Sequence, residues 1–335
     1  MTTLLEVSGL STHYVAARGT RVTRAVEDVS FSLEAGRTLG IVGESGSGKT
    51  TLALTLMRLL PPGARIAGGS VRFEGEDIFT KSNSEMRAIR GKRMAMILQD
   101  PMASLNPLFT VGDQIAETLR AHEQMPRRGA WTRARDLLAA VRIAVPERRV
   151  GEYPHEMSGG MRQRVVGAIA ISCEPKLLIA DEPTTSLDLT IQAQYLRLLK
   201  EIQAQHRLAM IFVTHNLGIV ARMCDRVAVM YAGRIVETGP VRTLFTAPAH
   251  PYTRALLESV PRLGASRARL RAIDGQPPDL ATLGAGCAFA ARCPQAMERC
   301  RAESPPELAV APGHATRCWL HAPDGAAAAP LSARA

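Results

Sequence analysis

Gly43-Glu44-Ser45-Gly46-Ser47-Gly48-Lys49-Thr50 follows the apolar run Thr38-Leu39-Gly40-Ile41-Val42 and leads into Thr51-Leu52-Ala53-Leu54-Thr55-Leu56-Met57. The order predicts a strand, a glycine-rich turn and a helix start, which is what phosphate binding requires. Glycines let successive backbone N–H groups turn inward around an anion, and the helix N-terminus adds the positive end of its dipole. Lys49 has the reach for the β- and γ-phosphates of a nucleoside triphosphate, and the Thr50 hydroxyl suits Mg²⁺. A chance glycine turn before a helix is the bland alternative; the matched flanks on both sides favour the phosphate cradle.

Working outward, residues 7–14 and 26–33 alternate as strands, joined by a polar, Arg-containing segment. The helix that leaves the glycine turn is expected to run to Leu60 and stop before Pro61-Pro62-Gly63. Residues 70–74 and 94–98 are short β-like runs. Helical patterning then dominates at 111–121, 132–141 and 158–171, which predicts a helical lobe over about 101–172. The apolar run Leu177-Leu178-Ile179-Ala180 reads as a strand buried on both faces of a parallel sheet. A helix at 190–205, a strand at 209–213 and a hairpin of 226–231 with 234–238 about Ala232-Gly233 complete an α/β pattern.

The 335 residues are about twice a typical domain length. After Gly239-Pro240 the composition shifts, with Pro248, Pro251, Pro261, Pro277 and Pro278 and four of the six cysteines. The boundaries expected are therefore an ATPase-like domain over 1–240, an extension over 241–322 and an Ala-rich disordered tail over 323–335. No apolar run approaches the ~20 residues that span a bilayer, and no secretory signal precedes the first strand, which points to the cytosol. Net charge is +10, from 41 basic and 31 acidic residues, while aromatics make up only 4%. Without aromatics beside the charge, nucleic-acid binding is disfavoured; an anionic membrane surface or a plain solvated surface fits better.

Companion residues decide which chemistry the glycine turn serves. Asp181 and Glu182 stand at the carboxyl end of a buried strand, where Asp181 suits a Mg²⁺ shell and Glu182 suits polarising an attacking water; a solvated acidic turn is the alternative. Ser158-Gly159-Gly160 at a helix start offers a hydroxyl and backbone N–H groups as a second anion site, or else a simple cap.

These elements together resemble the nucleotide-binding subunit of an ABC transporter. The turn at 43–50, Gln99 after a strand, Ser158-Gly159-Gly160, Asp181-Glu182, Ser186-Leu187-Asp188 and His215 after a strand stand in that family's order, over residues 4 to about 240. The resemblance implies an α/β P-loop NTPase of ABC type: a mixed sheet core with an antiparallel β subdomain and a helical subdomain, plus a small Cys-containing extension. It implies ATP held by residues 43–50 and Thr51, and Mg²⁺ held by Thr50, Gln99 and Asp181. Lys49, Gln99, Glu182 and His215 would serve catalysis, with Gln99 sensing the nucleotide and His215 meeting the γ-phosphate. Asp188 would communicate across a dimer, and Ser158, Gly159 and Gly160 would face the ATP of the opposite subunit. Tyr14 matches the aromatic that stacks on adenine, with a structural core tyrosine as the other option. Met157 and Met161 stand where the commonest pattern has Leu and Gln, which puts the competence of that ATP site in question.

A narrower resemblance is to the ATPase subunits of bacterial oligopeptide, dipeptide and nickel importers. It rests on Gln99-Asp100-Pro101-Met102-Ala103-Ser104-Leu105-Asn106-Pro107, on 181–188 running into Thr190-Ile191-Gln192-Ala193-Gln194, and on His250-Pro251-Tyr252-Thr253-Arg254-Ala255-Leu256-Leu257. It implies a related but different second ATPase subunit, two permease chains, an extracytoplasmic binding protein and a place on the cytoplasmic face of the membrane, with no nucleic acid. Peptides lead as the solute, with nickel or glutathione behind. The rival is an ABC ATPase acting on nucleic acid or ribosomes, but the long coiled-coil insertion or second ATPase domain of such proteins is missing. Gly286-Cys287-Ala288-Phe289 and Arg292-Cys293-Pro294 extend the match, and Cys287, Cys293, Cys300 and Cys318 are separated by five, six and seventeen residues. Four thiols suit a [4Fe–4S] cluster; zinc with His314 or His321, or plain reduced thiols, are the alternatives. Cys173 and Cys224 are expected to be buried and inert.

Overall fold

A computed structural model of the chain describes residues 2–16, 21–100, 104–185, 187–260 and 272–323. Residues 324–335 of the disordered tail expected over 323–335, Ser186 of the 186–188 motif and residues 101–103 of the 99–107 motif lie outside the described residues. The strands are β1 (Thr3–Val15), β2 (Val22–Glu34), β3 (Thr38–Val42), β4 (Ala64–Phe73), β5 (Glu76–Asp77), β6 (Met94–Ile97), β7 (Leu177–Asp181), β8 (Ala209–Thr214), β9 (Arg226–Tyr231), β10 (Arg234–Pro240), β11 (Leu308–Ala311) and β12 (His314–Thr316). The chain divides into two compact units.

The first unit comprises Met1–Leu5, Leu33–Thr38 and Arg72–Val213. Its centre is a parallel array in which β7 lies between β6 and β8, with Met94 opposite Leu177 and Leu177 opposite Ala209. Every residue of β7 and β8 is buried, because both faces of a parallel sheet are covered. The helices Val111–Glu123, Arg127–Ala140 and Gly159–Ile171 pack on one another. Val111, Ile115, Ala116 and Leu119 recur at helical spacing and face that contact, where full burial of an Ile or Leu contributes about 2 kcal/mol. Thr110 starts the first of these helices by accepting the Asp113 N–H.

The second unit comprises Glu6–Ser32, Leu39–Val71 and Thr214–Ala335. Here β2, β1 and β4 lie side by side in that order. β3 runs parallel to β9, with Leu39 opposite Arg226 and Val42 opposite Val229. β9 and β10 form the expected hairpin, turning through Ala232 and Gly233, both at positive φ. The extension adds to this sheet: β12 pairs with β10 through Glu237 opposite Thr316, and β11 pairs with β12. Its Tyr252 and Phe289 share one apolar core with Val42, Val229 and Tyr231.

Several short elements escaped the sequence pattern: β5, β11, β12 and the helices Asn83–Ile89, Leu217–Met223, Val241–Thr246 and Pro251–Glu258. Each is too short for periodicity to show, and three of the four helices start from a local side-chain cap. Ser82 and Glu85 form a reciprocal capping box, Asn216 caps with its side-chain oxygen, and His250 accepts the Tyr252 N–H through Nδ1 at 3.0 Å. The helix expected to reach Leu60 ends at Leu56, because Met57 caps it and Arg58 takes φ +50°. Cys173 and Cys224 are half-buried rather than fully buried. No described helix is long and apolar enough to cross a membrane.

Candidate functional site

The phosphate loop belongs to the second unit and follows β3 directly. A side chain at Gly43 would put its Cβ 2.1 Å from the Met230 carbonyl oxygen. Gly48 has φ +99°, and a Cβ there would lie 2.0 Å from the Ala25 carbonyl oxygen. Both positions therefore exclude every residue but glycine. Gly48 is also the N-cap of the helix Lys49–Leu56, and no side chain caps that helix. Its N-terminus is left for an anion.

Lys49 is buried, with Nζ donating to the Gly43 and Glu44 carbonyls at 2.9 Å each and lying 3.4 Å from Ser47 Oγ. The ammonium thus sits inside the ring of its own loop, while Ser45, Gly46 and Thr50 are exposed. Thr51 Oγ1 lies 3.3 Å from the Tyr14 hydroxyl, which ties a half-buried ring to the helix start. His215 is exposed just after β8, immediately before Asn216.

In the first unit, Asp181 closes β7 and is buried. Glu182 follows at φ +46°, with its N–H donating to the Val213 carbonyl at 2.9 Å. Gln99, exposed after β6, donates from Nε2 to Glu182 Oε2 at 3.2 Å, and Thr185 Oγ1 donates to the same oxygen at 3.0 Å. Two expected residues, Gln99 and Glu182, are thereby brought together. Thr185 is a third member that the sequence pattern did not single out; its signal was only its place in the turn after the acids.

Ser158 Oγ accepts the Met161 N–H at 3.3 Å and caps the helix Gly159–Ile171. Asp188 Oδ1 accepts the Thr190 and Ile191 N–H groups at 3.0 Å each and caps the helix Leu189–His206. Both caps line one cleft of about 600 Å³, together with Gly159, Gly160 and the arginines 142, 149 and 164. A Cβ on Gly160 would lie 2.7 Å from Ile191 Cγ2, so this glycine lets the two helices approach. Among the described residues, nothing beyond its chain neighbours and its own helix backbone lies within 4 Å of where a Gly159 Cβ would be. Met157 is buried, whereas Met161 lines the cleft.

The structure gives no support to the iron–sulfur expectation for the four extension cysteines. Among the described residues no three His, Cys, Asp or Glu side chains gather as a metal ion requires. Cys287 and Cys293 instead pack against the apolar core, and Cys300 and Cys318 are buried. Burial pushes the Cys287 thiol up to about 11 and the Cys318 thiol up to about 12, helped by the charges of neighbouring thiols. The histidines of the zinc alternative are engaged elsewhere, His314 with Glu237 at 2.8 Å and His321 with the Ala249 carbonyl at 3.0 Å.

Residues 26–185 match the ABC transporter family, and residues 236–300 match the C-terminal region of oligopeptide/dipeptide transporters. The chain is 52% identical to a probable peptide ABC transporter ATP-binding protein, y4tR, of Sinorhizobium fredii, over 94% of each chain. It is 48% identical to the dipeptide transport ATP-binding protein DppD of Bacillus subtilis, over 96% of this chain and 95% of that one. Among solved structures it is similar in fold to the ATP-binding cassette MJ0796 bound to ADP and Pi, with TM-score 0.64 and 23% identity over 71% of this chain and 99% of that one. With the phosphate loop, the strand-end acids and the helix-capping Ser158 in place, the chain belongs to the ABC transporter family of ATP-binding subunits, in the branch that carries the oligopeptide/dipeptide C-terminal region.

Proposed function

We propose that this chain hydrolyses ATP to energise uptake of di- or oligopeptides through separate permease chains, from the cytoplasmic face of the membrane. The observation that carries the ATP reading is the loop itself: two positions where only glycine fits, an uncapped helix start and a buried lysine ammonium held at its centre. In the second unit, Lys49 and the N–H groups of 43–50 bind the phosphates, Tyr14 meets the adenine, and His215 meets the γ-phosphate. In the first unit, Glu182 polarises the attacking water and Gln99 reports nucleotide state. Thr50, Gln99 and Asp181 are hard oxygen donors of the kind Mg²⁺ prefers. A Mg²⁺ ion held by them would neutralise charge that develops on the phosphates.

Gly159 has open space where a side chain would stand, and Ser158, Gly159 and Gly160 share a cleft with Asp188. That supports a face presented to ATP on an opposing ATPase subunit, with Asp188 beside it. We take that partner to be a related, different subunit, because the run Ser158-Gly159-Gly160-Met161-Arg162-Gln163-Arg164 resembles the first of two such chains. A binding protein outside the membrane would deliver the solute. Similarity to peptide transport proteins along almost the whole chain supports peptides over nickel or glutathione, and over a role on nucleic acid or ribosomes. No step is assigned to an iron–sulfur cluster.

The test is reconstitution of this chain with its permeases, partner ATPase and binding protein in sealed vesicles. Expected is uptake of radiolabelled peptide that needs ATP. ATP hydrolysis with no peptide uptake, or uptake of nickel alone, would overturn the solute assignment.

A further inference from the structure

Glu44 is the one acidic residue of the phosphate loop, and the C-terminal extension holds it from two sides. Arg292 of the extension forms a fork with its carboxylate, Nη1 to Oε2 at 2.6 Å and Nη2 to Oε1 at 3.0 Å. Tyr252, in the helix Pro251–Glu258, accepts the Glu44 N–H on its hydroxyl at 2.9 Å. All of these residues lie in the second unit.

The arginine is committed to this place. Its Nε donates to the Asp274 carbonyl at 2.9 Å, Nη1 also donates to the Tyr231 hydroxyl at 3.3 Å, and Nη2 also donates to the Ile273 carbonyl at 3.2 Å. With the carboxylate, that accounts for all five N–H donors of a guanidinium. Its side chain is 5% exposed, against 26% for Glu44. Tyr252 is fully buried, with its ring centroid 4.5 Å from that of Tyr231 and 5.3 Å from that of Phe289. The holding groups are thus fixed by packing, and the group they hold is in the loop.

Glu44 also faces the other way. Its carbonyl oxygen accepts from Lys49 Nζ at 2.9 Å and from the Ser47 N–H at 3.2 Å. One residue therefore joins the extension, through side chain and N–H, to the lysine that meets the phosphates, through C=O. A tilt of the 44–45 peptide would swing that carbonyl away from the ammonium.

We propose that Arg292 and Tyr252 are positioning residues for ATP: the extension clamps Glu44 and so presets the loop and the Lys49 ammonium for phosphate binding. This rests on the ATP reading of the loop. A preset loop has less to reorganise on binding, so the clamp acts on nucleotide affinity more than on the rate of cleavage.

The experiment compares Arg292→Gln, Glu44→Gln, the double variant and Tyr252→Phe in the full chain. A fluorescent ATP analogue reports affinity, and phosphate release in the assembled complex reports KM and kcat. Arg292→Gln and Glu44→Gln should each weaken ATP binding about tenfold, a usual size for coupling between sites. The double variant should be no worse than either single one, and kcat for Arg292→Gln should change less than about threefold. Arg292→Lys, which keeps the charge but loses the fork, should fall between wild type and Arg292→Gln. A purely structural role would lower the melting temperature and leave the ATP KM unmoved, which would overturn the proposal, as would effects that multiply in the double variant. Should Arg292→Gln not fold, Tyr252→Phe decides, since it keeps the ring packing and removes only the hydroxyl: unchanged ATP affinity overturns the clamp. Lys49→Ala serves as the separate control, because retained ATP binding there would instead refute the phosphate-loop reading.

Discussion

Glu182→Gln is the sharpest perturbation of the proposed chemistry, because an amide can preserve the hydrogen bonds that Gln99 and Thr185 donate to this side chain. Gln99 Nε2 at 3.2 Å and Thr185 Oγ1 at 3.0 Å both donate to the carboxylate oxygen Oε2. An amide can keep an oxygen in that place and accept both bonds, while its NH₂ takes the place of Oε1. The backbone at φ +46° is anchored through the N–H to Val213, which the substitution does not touch. What is lost is the basic oxygen that draws a proton from water. A positioned general base contributes about 10²–10⁴-fold, so kcat should fall by that factor, or about 3–5 kcal/mol in the barrier. ATP affinity should stay within about threefold, since binding lies with the loop and the helix dipole. Steady-state phosphate release from the assembled importer gives kcat, and binding of a fluorescent ATP analogue gives affinity. Turnover within a few-fold of wild type would remove Glu182 from the role of base, and a parallel loss of binding would show that its main work is structural.

Two further expectations test the frame around the site. Gly160→Ala should cost about 1–3 kcal/mol of stability by overpacking, because its Cβ would lie 2.7 Å from Ile191 Cγ2; adding Ile191→Ala should recover part of the loss in calorimetry, and full stability of the single variant would contradict the close helix approach. His250 is held neutral by burial, with its pKa lowered to about 3 and the nearby His321 adding to the effect. Below its ordinary value of about 6.5 the unfolded chain takes up a proton that the folded chain refuses, so stability falls as pH drops toward 3. About 2 kcal/mol should be lost by pH 5, and His250→Asn should flatten that part of a denaturant-measured pH profile; an unchanged profile would show that another group dominates.

Much of the fold was legible because its long elements obey simple periods. The continuous apolar run of β7, the strand before the glycine turn and the helices at 111–123 and 159–171 appear in the structure within a few residues of expectation. What stayed hidden was built by contacts between distant residues. The extension reads as a Pro-rich, Cys-bearing appendage, yet β12 pairs with β10, and Tyr252 and Phe289 enter the core beneath the phosphate loop. Neither a three-residue strand nor a single aromatic carries a period. The buried Glu237 shows the same limit: it accepts the Ala249 and His250 N–H groups at 2.7 and 2.9 Å and pairs with His314 at 2.8 Å, a knot across 77 residues of chain. The cysteines are a different case: Cys287, Cys293 and Cys300 lie near enough to Cys318 for their charges to be felt there, yet among the described residues no three ligands gather as a single metal ion requires.

The site residues also show why a motif and its bland alternative need not compete. Ser158-Gly159-Gly160 could be an anion site or a cap, and Ser158 is a cap: its hydroxyl accepts the Met161 N–H, as Asp188 accepts those of Thr190 and Ile191. Capping leaves a hydroxyl with its own proton still to donate and fixes its direction. Gly160 is explained by helix packing, whereas among the described residues nothing outside its own helix meets a side chain at Gly159. A residue whose identity the fold itself does not require, set beside one that it does, is where an outside group has room to approach. The same division runs through the phosphate loop. There Gly43 and Gly48 are fixed by carbonyl oxygens of the fold, whereas Gly46 meets only open space and keeps its identity through its φ of +77°. Sequence patterns mark both kinds of glycine alike; only the surrounding atoms separate those that build the cradle from those that face what it holds.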